Sequence, residues 1–585
     1  MPKLLMKIKS IGSLLTTLGL LCIFPLTHLT QKAYAKTEQF STEYKIHFDF
    51  QENGEAVVTQ NINVTNLVSD VIASSYTLTF KQMEVYGISA TVNNKSIEPE
   101  KTSENNETKI KLNITNYVIG EGRQNKIELI YKTTDLSSKV GEIWNINIPK
   151  TEFTKSTAFY NVQLSIPNQF GPKVYISPSP VTEENSNGKT NYYLTREQLI
   201  DKGISASFGK YQIVNFRLTY QIENPSILPG TYEIALPPDI PHIQQVKYEN
   251  ITPAPKNVVL DSNGNAMARY KIKSRGKLEI TVTGKARITG RQINSEFGGE
   301  MDNIPKKYIK AYTNEQPYWE VNSPEIQKIA KTLINEDNNV IQNAQETYNY
   351  VVNNLEYNYE AVENGNIQRN GALKAATQKK PWTCMEFSDL FITIARSMGI
   401  PAREINGHAF SNLSEDKPLS IKLRGGDYLH AWAEFYDPFY GWIQVDPTWG
   451  NTAKVDYFTK TDTNHFAFVI RGTESEYPLP AGTYRFSDIG NLVDVDFAQE
   501  EDPRAFEEKL ILIKKRNFNI LQILRGNQKF KLKNEGHVFV YDINNKIQNL
   551  APDEEVTLFL PKGSSKVRYE TFNGEVVEKS LMVID

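Results

Sequence analysis

The feature that most constrains this chain is an alternation of apolar and polar side chains along much of its first half. Such alternation places every second side chain on the same face of a β-strand. A clear example contains Tyr44, Ile46, Phe48 and Phe50, and similar segments follow after Asn- and Gly-containing turns. Residues 36–212 are therefore predicted to form an antiparallel β-sandwich region.

The same pattern continues over residues 213–300 and predicts a β-rich domain there. Within it, the segment from Asp261 to Asn265 has the spacing of a calcium loop, but Ala266 and Ile272 stand where such a loop needs glycine and a carboxylate. A hairpin turn is the preferred interpretation. We predict no metal, no calcium requirement and no cofactor.

A helical period begins at Ser323-Pro324, an N-cap followed by proline, and Ile326 and Ile329 then lie on one helical face. Helices and strands together predict an α+β domain over residues 301–478. The chain then returns to short strands with Gly-Ser or Asn-Gly turns, so residues 479–585 are predicted to form an immunoglobulin-like β-domain. A length of 585 residues agrees with several domains.

The N-terminus has the pattern of a secretory signal. Three lysines precede an apolar run from Ile11 to Leu26, and Ala33-Tyr34-Ala35 follows as a small-residue cleavage site. Residues 1–35 are therefore predicted to be a signal peptide, which implies a secreted, cell-surface or envelope protein. An uncleaved signal anchor stays open as the alternative, since about 16 apolar residues approach the length of a span. No membrane span is predicted after this segment.

Removal of the signal would also remove Cys22 and leave Cys384 as the only thiol. A single cysteine has no intramolecular disulfide partner, so in an oxidising compartment it calls for a chemical explanation. The formal net charge of the whole chain is −3. No nucleic-acid partner is predicted, because such partners need a surplus of basic residues.

Cys384 stands at the predicted start of a helix. Thr383 followed three residues later by Glu386 is a capping box, which makes Thr383 the N-cap and Cys384 the first helical residue. An apolar stripe follows, and Gly399 with Pro401 ends the helix. Amides at a helix N-terminus stabilise a thiolate and can donate to an oxyanion. A buried structural cysteine is the alternative.

A general base for this thiol is predicted from a hairpin. His430 opens one strand, and a second strand ends at Asp446. An odd-length loop pairs Tyr436 with Trp442, which places Asp446 diagonally beside His430 on one face. Cys384, His430 and Asp446 then form a triad in which His430 moves the proton and Asp446 orients the imidazole. Each of the three residues, taken alone, is also compatible with a structural role.

Two more histidines and one acid are further candidates for the site. His408 and His465 are further base candidates, but neither has an acid on a predicted partner strand, so both are interpreted as pocket lining or structure. Glu434 shares the face of His430 and is interpreted as a solvated strand residue rather than as a group that tunes His430.

The combined motifs resemble the core of the transglutaminase-like superfamily over roughly residues 320–475. They are the segments 384–390, 399–403, 430–434 and 441–448, which carry Cys384, His430 and Asp446. The resemblance implies a papain-like α+β core and acyl transfer through a thioester. Trp382 stands where many members have glycine. Trp382, Met385 and Trp432 are the candidates for pocket or oxyanion roles.

Three functions are compatible with these residues. The first is an acyltransferase acting on glutamine side chains of protein or peptide substrates, some of them in the cell envelope, with lysine amines as acceptors. The second is a cysteine peptidase or deamidase on the same scaffold, because pocket access rather than the triad selects the acceptor. The third is a non-catalytic surface adhesion or scaffolding protein. The substrate and the oligomeric state are not readable from the sequence.

Overall fold

The computed structural model describes a chain that divides into two compact units. One unit comprises the described residues up to Lys139 together with Trp144–Phe208, and the other comprises Val140–Ile143 and the residues from Gly209 onward. The predicted signal peptide lies outside the described residues. The described ranges are 38–81, 83–104, 107–151, 153, 155–200, 202–364, 368–410, 421–422, 426–487, 490–498, 502–516 and 519–584.

The first unit is built from β-strands packed around one hydrophobic core. Its largest sheet has eight strands in the order β13-β14-β11-β1-β2-β8-β4-β5, and smaller sheets have the orders β3-β7-β6 and β12-β15-β10-β9. The elements are β1 (Phe40–Phe50), β2 (Ala56–Asn66), β3 (Ser75–Lys81), β4 (Tyr86–Val92), β5 (Lys95–Ile97), β6 (Glu100–Glu104), β7 (Glu107–Asn113), β8 (Gln124–Thr133), β9 (Ser137–Val140), β10 (Ile143–Ile148), β11 (Thr157–Pro167), β12 (Lys173–Ser177), β13 (Thr182–Ser186), β14 (Lys189–Thr195), α1 (Arg196–Leu199) and β15 (Ile204–Phe208).

Strand β1 confirms the predicted alternation, since every second side chain from Phe40 to Phe50 is buried and the side chains between them are partly or fully exposed. It pairs antiparallel with β2, where Tyr44 lies opposite Ile62. It pairs in parallel with β11, where Tyr44 lies opposite Tyr160. The prediction of a wholly antiparallel region is wrong at this pair, because alternation fixes the faces of a strand but not the direction of its neighbour.

The second unit begins with two sheets over the predicted β-rich segment. Their orders are β18-β21-β16-β29 and β17-β20-β19. Leu260 pairs with Ala266, and Asp261 Oδ1 accepts from the amides of Asn263 and Asn265, so the predicted hairpin turn is confirmed. The elements are β16 (Gln212–Glu223), β17 (Gly230–Leu236), β18 (Gln244–Thr252), β19 (Asn257–Leu260), β20 (Ala266–Ile272), β21 (Lys277–Ile288) and β22 (Arg291–Gln292).

An α+β segment follows, in which helices pack on a sheet of order β24-β25-β23-β28 with β26 paired to β25. This sheet and these helices carry Cys384, Met385, His430 and Trp432, and Trp382 and Asp446 lie just before α7 and α8. The elements are α2 (Lys306–Tyr312), α3 (Pro324–Leu333), α4 (Val340–Asn354), α5 (Tyr359–Asn364), α6 (Ala372–Thr377), α7 (Cys384–Ser397), β23 (Ala402–Ala409), β24 (Ile421–Lys422), β25 (Tyr428–Asp437), β26 (Gly441–Val445), α8 (Pro447–Ala453), β27 (Lys460–Thr461) and β28 (His465–Arg471).

Helix α7 is buried on all sides, and not only along its apolar stripe. Asp389 and Arg396 are buried as well as Phe387 and Leu390. Arg396 donates to the carbonyl of Ala402, at the start of β23, and to the carbonyl of Gly472, just after the end of β28. These bonds connect the helix to both strands. The helix is therefore the centre of this segment, and its buried Asp389 and Arg396 bond to groups of other segments.

The chain ends in two four-stranded sheets with the orders β34-β31-β30-β37 and β33-β32-β35-β36 around their own core. Strand β29, which the predicted boundary at residue 479 assigned to this domain, instead pairs with β16. None of the described residues forms a helix suited to crossing a membrane. The elements are β29 (Val493–Phe497), β30 (Leu510–Lys515), α9 (Ile520–Leu524), β31 (Asn527–Asn534), β32 (Val540–Ile543), β33 (Ile547–Leu550), β34 (Glu555–Pro561), β35 (Lys566–Glu570), β36 (Val576–Ser580) and β37 (Met582–Ile584).

Candidate active site

Cys384 is the first residue of α7, as the capping box predicted. Glu386 Oε2 accepts from the amide of Thr383 at 3.1 Å and from its hydroxyl at 2.9 Å. The thiol is fully buried. It shares a hydrophobic cluster with Leu429 and Ala431, the two residues that flank His430 on β25. The nucleophile candidate and the strand of its predicted base therefore lie in one packed region.

The hairpin of β25 and β26 has the predicted register. A loop of three residues, 438–440, joins the strands, and Tyr436 pairs with Trp442. His430 Nε2 lies 2.9 Å from Asp446 Oδ2, and both side chains are buried. The odd loop therefore brings the imidazole and the carboxylate together, as the spacing in the sequence indicated.

Asp446 also caps helix α8, and this contact fixes its side chain. It is the N-cap of α8, and its Oδ1 accepts from the amides of Thr448 at 2.9 Å and Trp449 at 3.1 Å. One carboxylate oxygen is thus fixed by the helix while the other faces His430. A carboxylate with two backbone donors and an imidazole partner is strongly stabilised in its charged form.

The structure brings a second histidine to the same carboxylate. His465 Nε2 lies 3.3 Å from Asp446 Oδ2, and His465 Nδ1 lies 2.8 Å from Asp462 Oδ1. The interpretation of His465 as a histidine without an acid is therefore wrong. Asp446 comes from the end of another strand, which no local pattern indicates, although the spacing of Asp462 and His465 could have suggested the other contact.

The charges of this group follow from its burial and its partners. Burial alone would raise the pKa of Asp446, but His430 and His465 hold that pKa well below its usual range. Burial alone would lower the pKa of His465, but Asp462 and Asp446 raise it to about 9. His465 is therefore a cation at neutral pH, between two carboxylates. We call Asp462, His465, Asp446 and His430 the imidazole cluster.

Aromatic rings enclose the imidazole cluster. The ring of Trp449 lies 5.3 Å from that of His430 and 4.5 Å from that of His465. The ring of Trp432 lies 6.0 Å and 5.0 Å from the same two rings. Trp449 was not among the predicted site residues. Such a wall excludes water and strengthens the electrostatic interactions inside it.

The three predicted pocket or oxyanion candidates occupy different environments. Trp432 Nε1 donates to Gln444 Oε1 at 3.2 Å, so its N–H is already used. Trp382 is buried, and its Nε1 makes no hydrogen bond to the described residues. Met385 is partly buried and packs against the cluster that contains Cys384. Trp382 is therefore the candidate with an N–H still to be satisfied.

His408 and Glu434 lie on β23 and β25, close along these strands to the position of His430. Burial lowers the pKa of His408 to about 4, so this residue is neutral at ordinary pH. Glu434 is fully buried and pairs with Arg403. The interpretation of Glu434 as a solvated residue is wrong, because β23 supplies Arg403 directly opposite it.

The imidazole cluster is also where a metal ion would find ligands. The ligand atoms of His430, Asp446 and His465 lie within 4.8 Å of one another, and they form the one such group among the described residues. Hydrogen bonds between these same atoms, and from His465 to Asp462, already account for their arrangement. The arrangement of these atoms is therefore explained by hydrogen bonds.

Part of this chain is similar to known proteins. The family model of the transglutaminase-like superfamily matches residues 327–447. "Uncharacterized protein YebA" of Bacillus subtilis (strain 168) is 29% identical over 222 residues, which are 36% of this chain and 29% of that protein. This chain thus matches less than a third of that relative's length. A Cytophaga hutchinsonii structure described as a "Putative Cysteine Protease" aligns with 49% of this chain and 98% of its own, at 18% identity and a TM-score of 0.30.

The family match covers Cys384, His430 and Asp446 and supports a cysteine-type enzyme in general. The match identifies residues 327–447 as a region similar to the transglutaminase-like core domain.

Proposed function

We propose that this protein is an exported cysteine acyltransferase that acts at amide groups of proteins or peptides through a thioester on Cys384. The observation that carries the proposal is the buried contact between His430 and Asp446, beside the strand residues that pack with Cys384. A cysteine, a histidine and a carboxylate in these roles are the parts of a nucleophilic triad.

The tautomer of His430 follows from its partner. Because Nε2 faces Asp446, the nitrogen that serves Cys384 is Nδ1. Cys384 gives its proton to Nδ1, and the thiolate attacks the carbonyl carbon of the substrate amide. The C–N bond then breaks as His430 returns the proton to the leaving nitrogen, which departs as ammonia or an amine. Asp446 stabilises the imidazolium between these two transfers.

The second half of the reaction releases the acyl group. An acceptor amine attacks the thioester carbonyl, loses a proton to His430, and the C–S bond breaks to regenerate Cys384. A water molecule in place of the amine would give hydrolysis. The complete burial of Cys384 and the tryptophans around His430 favour the amine, because a thioester survives for transfer only where water is excluded.

Export is the part of the proposal that rests on the sequence. The lysines, the apolar run and the Ala33-Tyr34-Ala35 site have the order of a secretory signal. Outside the cell, the available substrates would be proteins and peptides of the envelope or surroundings. Fractionation of the source cells, with detection of the N-terminus of the mature protein, tests this part separately.

The enzymatic part is tested with the purified protein, a glutamine-rich protein substrate and a fluorescent primary amine. Covalent incorporation of the amine, accompanied by release of ammonia, is the expected result. Ammonia or new peptide ends without amine incorporation would replace the proposal with a deamidase or a peptidase. The Cys384→Ala variant is the matched control for contaminating activity.

A non-catalytic scaffold is separated from both enzymes by the thiol itself. Alkylation of Cys384 by iodoacetamide, followed by mass spectrometry over a range of pH, reports how readily its thiolate forms. A thiol that reacts only as a free cysteine does, together with no product in any assay, would contradict the proposed chemistry.

A further inference from the structure

Four buried titratable side chains form a continuous chain that extends beyond the predicted triad. Asp462 bonds to His465 at 2.8 Å, His465 to Asp446 at 3.3 Å, and Asp446 to His430 at 2.9 Å. The hydroxyl of Tyr457 donates to the other oxygen of Asp462 at 2.9 Å. The carboxylate expected to orient the base is thus itself held by a histidine with its own carboxylate.

His465 is not a member of the proposed triad, but charged groups and aromatic rings surround its side chain. The charged or titratable groups that face it are Asp462 from its own segment, Asp446 from the start of α8 and His430 from β25. Trp432 and Trp449 cover its ring. Its side chain is only 9% exposed. Burial of a cation between two carboxylates costs desolvation free energy, which the contacts between these groups must offset.

We propose that His465 is a positioning residue that holds Asp446 Oδ2 toward His430. The inference rests on the proposed function, since it assigns His465 a task in the reaction of Cys384 and His430. His465 does not touch the reacting atoms. It acts through Asp446, whose Oδ2 it shares with His430.

One effect on His430 follows from this arrangement. Nε2–H of His465 restricts the carboxylate of Asp446 to one orientation, which keeps the imidazole of His430 in place for proton transfer.

The test compares three variants of the full protein. His465→Gln keeps a side-chain N–H for Asp446 but removes the charge, and His465→Phe removes both. Asp456→Asn is the matched control, because Asp456 lies in the segment just before β27 and accepts from the amides of Phe458 and Thr459 rather than from the imidazole cluster. Two readouts are taken over pH 5 to 10: the iodoacetamide reaction of Cys384 and the turnover of the amine-incorporation assay.

In His465→Gln we expect kcat and KM to stay close to those of the unchanged protein, since glutamine keeps a side-chain N–H for Asp446. In His465→Phe we expect kcat to fall by about 10-fold to 100-fold with KM unchanged, because Asp446 loses its second partner. In Asp456→Asn both profiles should match those of the unchanged protein.

Two results would overturn the inference while the proposed function stands. One is a reactive Cys384 and a kcat in His465→Phe equal to that of the unchanged protein. The other is a lower melting temperature in both His465 variants with no change in profile or kcat per folded molecule, which would make His465 purely structural. An inert Cys384 in the unchanged protein would instead remove the proposed function.

Discussion

Two buried polar clusters of the same domain use different cations, and the difference separates structure from chemistry. The imidazole cluster joins two carboxylates to His430 and His465. The guanidinium cluster consists of Arg369, Asp389, Glu404 and Arg471, in which Arg369 Nε donates to Asp389 at 3.0 Å and Arg471 lies 3.6 Å from Glu404. Both clusters are nearly closed to solvent.

The arginines of the guanidinium cluster do not exchange protons near neutral pH, because arginine stays charged at every pH that a folded protein experiences. Its ion pairs can only hold α7 against the strands around it. The imidazole cluster has the same kind of acids, but histidine gains and loses its proton near neutral pH. A buried acid is therefore a poor guide to function until the titration range of its cation is known.

The largest expected effect is at Cys384. Cys384→Ala should lower acyl transfer by about 10⁴-fold or more, to the background rate, since no other group can form the thioester. The melting temperature should change little, because a small buried side chain replaces another. Amine incorporation and thermal unfolding measure the two quantities. Residual transfer above background would place the chemistry elsewhere.

Asp446→Asn should break the imidazole cluster without breaking its helix. Asparagine caps a helix as well as aspartate does, so the bonds to Thr448 and Trp449 are retained. The amide presents an N–H to His430 and favours the wrong tautomer, and kcat should fall by about 10³-fold. Steady-state kinetics and urea unfolding distinguish this outcome from unfolding, which would appear as a lower midpoint.

Arg369→Met should do the opposite in the guanidinium cluster. It leaves Asp389 buried with Trp319 Nε1, which donates at 2.8 Å, and without its guanidinium partner. Loss of one partner of a buried pair costs about 3–5 kcal/mol of unfolding free energy. The rate per folded molecule should change by less than about threefold. A large loss of kcat in fully folded protein would contradict the division between the clusters.

The imidazole cluster should make stability depend on pH on the alkaline side. His465 has a folded pKa of about 9 against an ordinary value of 6.5. A raised pKa gives stability that is complete below pH 6.5 and is lost as pH rises toward 9, and the difference corresponds to about 3 kcal/mol. Urea unfolding between pH 6 and 9.5 measures it. His465→Gln should flatten the dependence in this window.

Asp446 gives the opposite dependence at low pH. Its pKa is depressed, since two imidazoles outweigh the effect of burial. The stability that it contributes is therefore present above the pKa of an unfolded aspartate, about 3.9, and is lost only as pH falls below that value. The Asp446→Asn variant should lack this acid-side loss, which the same unfolding series would show.

The smallest expected effect concerns the buried indole of Trp382. If its N–H donates to the oxyanion, Trp382→Phe should lower kcat by up to about 10²-fold with KM unchanged. Trp319→Phe is the matched control, because it removes an indole N–H from the guanidinium cluster and should lower stability rather than rate. An unchanged kcat in Trp382→Phe would leave Trp382 as a packing residue.

Local patterns predicted much of the candidate site. The capping box predicted the start of α7 at Cys384, and the odd loop predicted the pairing of Tyr436 with Trp442. Both depend on residues within about ten positions of one another, so the chain itself limits the answer. The triad as a catalytic unit stays a proposal that the predictions above test.

Other contacts were out of reach of any local pattern. Glu434 was interpreted as a solvated residue, but Arg403 lies directly opposite it on the neighbouring strand β23. His465 was assigned no acid, but it meets Asp446 at the end of a different strand. Both errors have the same cause. The order of strands in the sheet decides which residue lies beside each side chain, and the alternation of apolar and polar residues along one strand does not indicate that order.

The sequence by itself determined where elements begin and which faces they bury, because capping, period and loop length act over a few residues. These local rules were enough to set Cys384 at a helix start and Asp446 beside His430. Only the tertiary structure decided which buried acids share a cation, since that depends on how α7, β25 and β28 pack. The same packing separated the imidazole cluster from the guanidinium cluster, and with it the residues suited to proton transfer from those that hold the fold.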